Sequence, residues 1–422
     1  MTAVAACPVP LTTDGTAADA PAMFDVFDPD LIDDPYPALA RLRATEPVHR
    51  IAETDFFLVS SWDLVHEVLA DPASYSSNLR AVLLRSPGGT PTALPMDGGG
   101  TVEQVLATAD DPVHKPHRSA VLGTIGRRIR ALESSVERQV DLLWDRWFAG
   151  GTAEWARDMA DRLPLVLVAE LIGLPPGDVP DLLGWAYDST EMLGGWVDAE
   201  RLTATVTASL ELHAHLGARF TTALAAPRDD LMGELARACH GGVLDPATAV
   251  LVLLQLVGAG GESTAGLMGT AARLLATDPP LQDRLRTSPE LLDAFLDECL
   301  RLESPFRGHY RHARADTRLG GVEVPAGSNL LLLWGAANRD PARFDRPDEL
   351  DLDRPGIRQH LAFGRGAHFC VGSALARMEA SAALRALLAR TTSFSLDGDD
   401  AATWVPSIFV RRHARLRLAL DR

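Results

Sequence analysis

His360 to Arg377, HLAFGRGAHFCVGSALAR, is the stretch on which the rest of the chain turns. A loop punctuated by Gly364 and Gly366 carries a single cysteine, Cys370, and after Gly372 runs straight into an alanine-rich segment of high helix propensity. Glycines at such positions allow backbone conformations that a Cβ would forbid, so amide N–H groups can turn toward the sulfur. A helix opening just after Cys370 would set its positive dipole end beside a thiolate and lower the thiol pKa. One thiolate does not make a zinc site, which takes four ligands or three plus water. A macrocyclic metal cofactor brings its own equatorial nitrogens and needs only one protein ligand. Most lone cysteines are small buried hydrophobes in tight turns, and taken by themselves these residues favour that role.

Outward from this loop, the chain has 422 residues, 46% of them apolar, enough to bury a large core. That length alone suggests two or three domains. The net charge of −17 argues against general nucleic-acid binding, which calls for a basic stripe. Cys7, Cys239, Cys299 and Cys370 are far apart, with no CxxC pair, and fit a reducing cytoplasm. Met1 to Ala22 lacks a basic start followed by an apolar core and is expected to be a flexible tail. The longest apolar run, Ala249 to Gly260, is too short to span a bilayer, so no membrane anchor is expected.

Along the chain, Asp34 to Glu46 is expected to hold a short helix, Phe56 to Val59 a strand, and Trp62 to Asp71 a helix. Tyr75 to Gly100, with SPGGTPT and DGGG, has the composition of a long loop. Helical periodicity then dominates from Val113 to Leu302, broken at Gly150-Gly151, Leu174 to Gly177, Gly194-Gly195, Pro227 and Gly241-Gly242. Thr317 to Pro325 and Asn329 to Trp334 suggest short strands, and Asn338 to Arg354 an irregular, charged loop. The helix after Gly372 is expected to bury Leu375, Met378, Ala382 and Ala386.

The pattern Phe363-Gly364-x-Gly366-x-His368-x-Cys370-x-Gly372 resembles the haem-binding signature of the bacterial cytochromes P-450 at every fixed position. Four further segments, in the family's order, resemble it too. Glu298 and Arg301 stand where the family has a Glu-x-x-Arg pair, and Arg354, in the segment Phe344 to Arg354, is by resemblance its third member. Arg311 matches the arginine that reaches a haem propionate. His114 and Arg118, one turn apart, match a second propionate-binding pair, with Pro116 departing from the usual arginine and suggesting that the helix starts there. His368 is by resemblance a further propionate donor. In LVLLQLVGAGGESTAGLMG, residues 251–269, each interior glycine costs about 1 kcal/mol relative to alanine. Close helix packing explains such glycines ordinarily; by resemblance Ala259-Gly260-Gly261-Glu262-Ser263 is the oxygen-binding groove, where the helix opens. The family's acid-threonine pair is here Glu262-Ser263, followed by Thr264.

The resemblance implies a mainly α fold with small β-sheets, a single domain over residues 23–422, and haem b (iron protoporphyrin IX) between a long central helix and the cysteine loop. Cys370 is then the axial ligand, Phe363, Gly364 and Gly372 lie against the cofactor, and Glu262, Ser263 and Thr264 relay protons. It implies a cytoplasmic monooxygenase that takes dioxygen, a small-molecule substrate, and electrons from a separate ferredoxin and ferredoxin reductase. Arg127, Arg128, Arg130 and Arg138, with Arg365, Arg377 and Arg385, would give that partner a basic face, unless they are simply solvated. The substrate pocket is expected from residues 75–105 and 184–197, Ala259 to Ser263, Phe306 to Tyr310 and Ser407 to Val410. Phe306, Arg307 and His309, with Ile408 and Phe409 opposite, point to a substrate with hydrogen-bonding groups. GAG-x-x-ST, FGRG-x-HFC-x-GSAL and F-x-RR also resemble the subgroup that oxidises or couples cyclodipeptides. Hydroxylation of a terpenoid or polyketide is the alternative within the family. Outside it stand a peroxide-driven haem enzyme and a non-catalytic haem-bearing scaffold.

Overall fold

The computed structural model describes residues 24–86 and 88–422, apart from the side chain of Arg130, so the expected tail and Cys7 lie outside the described residues. At its centre lies the helix Pro246–Ala276. Asp245 caps it by accepting from the N–H groups of Ala247 (2.9 Å) and Thr248 (3.0 Å), and Pro246 fills the first turn, where no N–H partner is lost. This helix is apolar enough to cross a bilayer by composition, but most of it is buried among other helices, including Arg162–Ile172, Ala199–Ala225 and Ser373–Arg390. Its glycines serve close packing. A Cβ on Gly260 would come within 2.6 Å of Val168 Cγ2, and one on Gly261 within 2.9 Å of Leu165 Cδ2, both on Arg162–Ile172. The helix is continuous through Ala259–Ser263, which corrects the expectation of an opening there; Ser263 Oγ donates to Ala259 O (2.9 Å) alongside the main-chain ladder.

The expected glycine and proline breaks fall between helices. The helix bearing His114 and Arg118, His114–Trp147, begins two residues before Pro116. Proline is tolerated there because the first four N–H groups of a helix have no partner within it. In Ser373–Arg390 the buried stripe is Leu375, Glu379, Ala380, Ala383, Leu384, Leu387 and Leu388. Met378, Ala382 and Ala386, expected inside, are only half-buried, because alanine on several faces leaves the apolar stripe undefined until neighbouring helices select one.

A five-stranded sheet flanks the helices, in the order Val48–Arg50, Phe56–Val59, Asn329–Leu332, His309–Ala313, Tyr75–Ser76. Its two four-residue strands, both buried throughout, are the neighbours near the middle, pairing in parallel with Leu330 opposite Phe57, as their apolar runs favour. Part of the expected loop from Tyr75 to Gly100 is instead a hairpin, Ala81–Leu84 with Thr92–Pro95. The first helical turn, Asp30–Asp33, is tied to segments far downstream: Arg411 donates to Asp33 O (2.8 Å) and Arg307 to Leu31 O (2.9 Å), while Phe306 and Val410 form an isolated bridge.

Candidate active site

In the cysteine loop, Gly364 and Gly366 take φ of 65° and 66°, the left-handed region that glycine enters without strain. The loop is drawn shut by Cys370 N–H donating to Phe363 O (2.9 Å) and Gly364 N–H to Leu361 O (2.8 Å). The helix that follows has no side-chain cap, and the N–H groups of Gly372 and Ser373 serve the sulfur instead. Burial nevertheless outweighs these donors and the nearby Arg118 and Arg377, so the free thiol lies above its ordinary pKa and not below it as the helix dipole alone suggests. A bound metal ion reverses that balance, since a coordinating thiol is deprotonated outright.

The helix Leu292–Leu302 braces this loop. Glu298 and Arg301 are fully buried and joined by two hydrogen bonds of 2.6 and 2.9 Å, and Arg354 Nε reaches the same carboxylate at 3.0 Å. Sequence reasoning missed the links onward. Arg301 donates to Asn338 O (3.1 Å), and Asn338 Oδ1 accepts from Leu361 N–H (2.7 Å) at the loop's start. Asp297, one residue before Glu298, accepts from Arg377 (2.6 Å) beyond the loop and faces His360 (3.4 Å) before it. Neither residue carries a sequence signal, because its partners lie 23 to 80 positions away.

A cavity adjoins Cys370, Gly372 and Phe363 and is shared with Ala259, Gly260, Ser263 and Thr264 of the central helix. His114, Arg118 and His368 line it as well, and Arg311, His309, His368, Gly364 and Trp334 line a smaller cavity. These basic groups crowd together with little acid to offset them. The rings of His114 and His368 are 4.2 Å apart. Burial, then repulsion from Arg311 and His114, pushes His368 down to about 4; burial, then Arg311 and His368, pushes His309 down to about 3; and burial takes Arg311 down to about 10. Among the described residues the buried His368 Nδ1 and Trp334 Nε1 have no hydrogen-bond partner. Buried donors without acceptors are rare, and two carboxylates at this end would satisfy them. One thiol and a cluster of arginine and neutral imidazole donors thus fit a flat, dianionic macrocycle with a single protein ligand. Trp334 was not foreseen; it follows an apolar strand like any core aromatic. Arg118 also donates to Phe369 O (2.8 Å), so it supports the loop directly.

Glu262 does not line the cavity. Its carboxylate is buried, accepts from Thr190 Oγ1 (2.7 Å) and lies 3.6 Å from Arg412 Nε, whose Nη1 is 3.3 Å from Asp161. Burial raises the Glu262 pKa against the pull of Arg412 and Thr190, and lifts Asp161 to about 6.

Of the expected substrate residues, Ala259, Gly260, Phe306 and His309 line the large cavity; Arg307, Ile408 and Phe409 do not. Arg307 turns the other way because its guanidinium is satisfied by the carbonyls of Ser407 (2.7 Å) and Leu31 (2.9 Å). Ile408 packs with it beside Leu31 and Tyr36, and Phe409 stacks on Tyr310. The residues 75–105 and 184–197 contribute nothing to this lining; Leu106 and Ala107, just beyond the first stretch, do. The expected basic face is largely internally paired: Arg127 meets Glu234 (3.3 Å), Arg377 meets Asp297, and Arg128 bonds Asp229 O. Arg365 stands over the Trp62 ring at 5.5 Å.

Comparison with known proteins bears on the whole chain. A family model described as Cytochrome P-450 matches residues 239–403. "Cytochrome P-450 144" of Mycobacterium tuberculosis is 49% identical over 396 residues, 94% of this chain and 91% of that protein. "Cytochrome P-450 monooxygenase PikC" of Streptomyces venezuelae is 30% identical over 411 residues, covering 95% and 94%. Among solved structures, cytochrome P-450 CREJ in complex with (4-ethylphenyl) dihydrogen phosphate superposes with a TM-score of 0.86 at 27% identity, over 94% of this chain and 99% of that one. With near-full-length identity of 49% to a named member, this chain belongs to the cytochrome P-450 family of haem-thiolate monooxygenases.

Proposed function

We propose that residues 23–422 form one cytoplasmic haem b monooxygenase domain with Cys370 as axial ligand, fed by a separate ferredoxin and ferredoxin reductase and acting on a small secondary metabolite. The observation that carries this is a lone thiol at an uncapped helix N-terminus on the same cavity as a knot of basic groups with little acid to offset them. His114, Arg118, Arg311 and His368 would hold the haem carboxylates, with Trp334 Nε1 as a further donor, and Phe363, Gly364 and Gly372 would pack against the ring. The haem supplies oxygen activation, which a thiolate ligand favours. The chain's own part is to hold and move protons. Glu262, its pKa raised by burial, is fit to carry a proton on its carboxylate, held by Thr190 and adjoining the Arg412–Asp161 pair. Ser263 and Thr264 bring hydroxyls to the cavity itself.

The cavity walls are mostly apolar, with Leu106, Val168, Leu256 and Phe306, which suits a compact aromatic molecule. An aromatic cyclodipeptide, a flat amide ring bearing such a group, is the substrate class we propose. Reduced protein under carbon monoxide should show the red-shifted band of thiolate-bound haem, and Cys370→Ala should abolish it; an unaltered spectrum would overturn the assignment. Titration with aromatic cyclodipeptides should shift the Soret band, and no shift with any of them removes that substrate class while leaving the haem assignment intact.

A further inference from the structure

Gln255 lies on the cavity face of the central helix, one turn before Ala259. Its amide orientation is fixed by chemistry. The backbone N–H of Ala107 can only donate, and it meets Gln255 Oε1 at 2.9 Å, so the other end of the amide must be the NH₂ group. Among the described residues Nε2 has no protein acceptor, while Leu106, Val168, Leu256 and Ala259 line the same cavity. The strap bearing Ala107 is tied down a second time: Thr248 Oγ1 is 2.5 Å from Glu103 Oε1, seven residues earlier on the helix and so on the same face. Leu106 between the two ties sits at φ of 41°, a conformation a leucine keeps only where its surroundings enforce it. Of the two hydroxyls that the central helix brings to the cavity, that of Ser263 is already engaged with Ala259 O, and that of Thr264 lies nine residues beyond Gln255.

We propose that Gln255 is a specificity-determining residue: its strap-oriented NH₂ group selects substrates that present a hydrogen-bond acceptor, such as an amide or ketone carbonyl, to the central helix. A ligand that fills the cavity excludes water from Nε2, and without an acceptor it leaves a buried donor unpaired. This rests on the cavity being the substrate site of a haem monooxygenase, and deepens that assignment by naming the chemistry it reads. In a cyclodipeptide the ring carbonyl would be the acceptor.

The test uses purified holoenzyme and matched probes that differ in one carbonyl: 4-phenylcyclohexanone against phenylcyclohexane, and 2-acetylnaphthalene against 2-ethylnaphthalene, each titrated by calorimetry. Comparing ratios between variants cancels the probes' intrinsic hydrophobicity. Gln255→Leu should shift the ketone-to-hydrocarbon affinity ratio toward the hydrocarbon by roughly 5- to 10-fold. Thr248→Val, which cuts the other tie and leaves the amide in place, should keep the ratio within about twofold of the parent, as expected for a change that removes no contact to the ligand. An unchanged ratio in Gln255→Leu, an equal collapse in Thr248→Val, or no measurable affinity of the parent for either ketone overturns the proposal. Calorimetric binding needs no haem signal, and the carbon monoxide spectrum of the same samples reports separately on the haem assignment.

Discussion

Removing the Glu298 carboxylate should destabilise the protein and loosen its hold on haem together. Glu298 is fully buried and neutralises two guanidinium groups, Arg301 at 2.6 Å and Arg354 at 3.0 Å, while also accepting from Asp351 N–H at 2.9 Å. Glu298→Gln keeps the shape but leaves two buried cations with no counter-charge, and breaking a buried pair this way costs about 3–5 kcal/mol. Unfolding entropy near 2.1 cal/mol/K per residue makes about 1 °C of midpoint per kcal/mol for a chain of 422 residues, so a drop of about 3–6 °C is expected. Because Arg301 also grips Asn338, which holds Leu361, the damage should reach the cysteine loop and lower the haem retained per chain. Thermal unfolding followed by circular dichroism, with haem content measured on the same samples, checks both. A midpoint within about 1 °C of the parent, the resolution at which less than about 1 kcal/mol is lost, would refute the assignment of this triad as the loop's brace.

Three further outcomes follow from particular contacts. Burial alone would raise Asp297, but hydrogen bonds from His360 and Arg377 overcome it and bring it from 3.8 to about 2, a depression equivalent to roughly 2 kcal/mol at neutral pH. That stability is present above pH 3.8 and lost as pH falls toward 2, so the deficit of Asp297→Asn in urea unfolding should be largest near pH 7 and shrink below pH 4. Glu379 behaves oppositely: full burial without a partner for Oε2 pushes its pKa well above 4.5, so the folded protein loses stability as pH rises above that value, by about 1.4 kcal/mol per unit until the folded-state pKa is passed. Glu379→Gln should therefore gain on the parent as pH rises above 5, and a pH-independent difference would contradict a protonated buried acid. Gly260→Ala should cost about 1–3 kcal/mol through its clash with Val168, and Val168→Ala in the same chain should recover part of that loss in chemical unfolding, which two independent defects would not do.

The cysteine loop, the central helix and the buried Glu298–Arg301 pair were legible because each rests on short-range chemistry: glycines at positive φ, an aspartate cap, an i, i+3 spacing. What escaped was set by distant partners. Arg307 looked like a pocket residue until the carbonyls of Ser407 and Leu31, 100 and 276 positions away, turned it around. The Ala81–Leu84 hairpin hid in a stretch rich in glycine and proline, since its second strand, TALP, has no alternating pattern. Glu379 could not be told from a surface glutamate on an alanine-rich helix, and the opening expected near Gly260 gave way to tight contact with Val168 and Leu165.

The tie between the two ends of the chain bears on how the molecule is made. Asp33 and Leu31 are held by Arg411 and Arg307, hundreds of residues downstream, so the turn Asp30–Asp33 cannot find its permanent neighbours until Arg411 has left the ribosome. Trimming the last dozen residues would then free the beginning of the protein as surely as the end, and a nascent chain stalled just short of Arg411 should leave Asp30 to Thr45 open to protease.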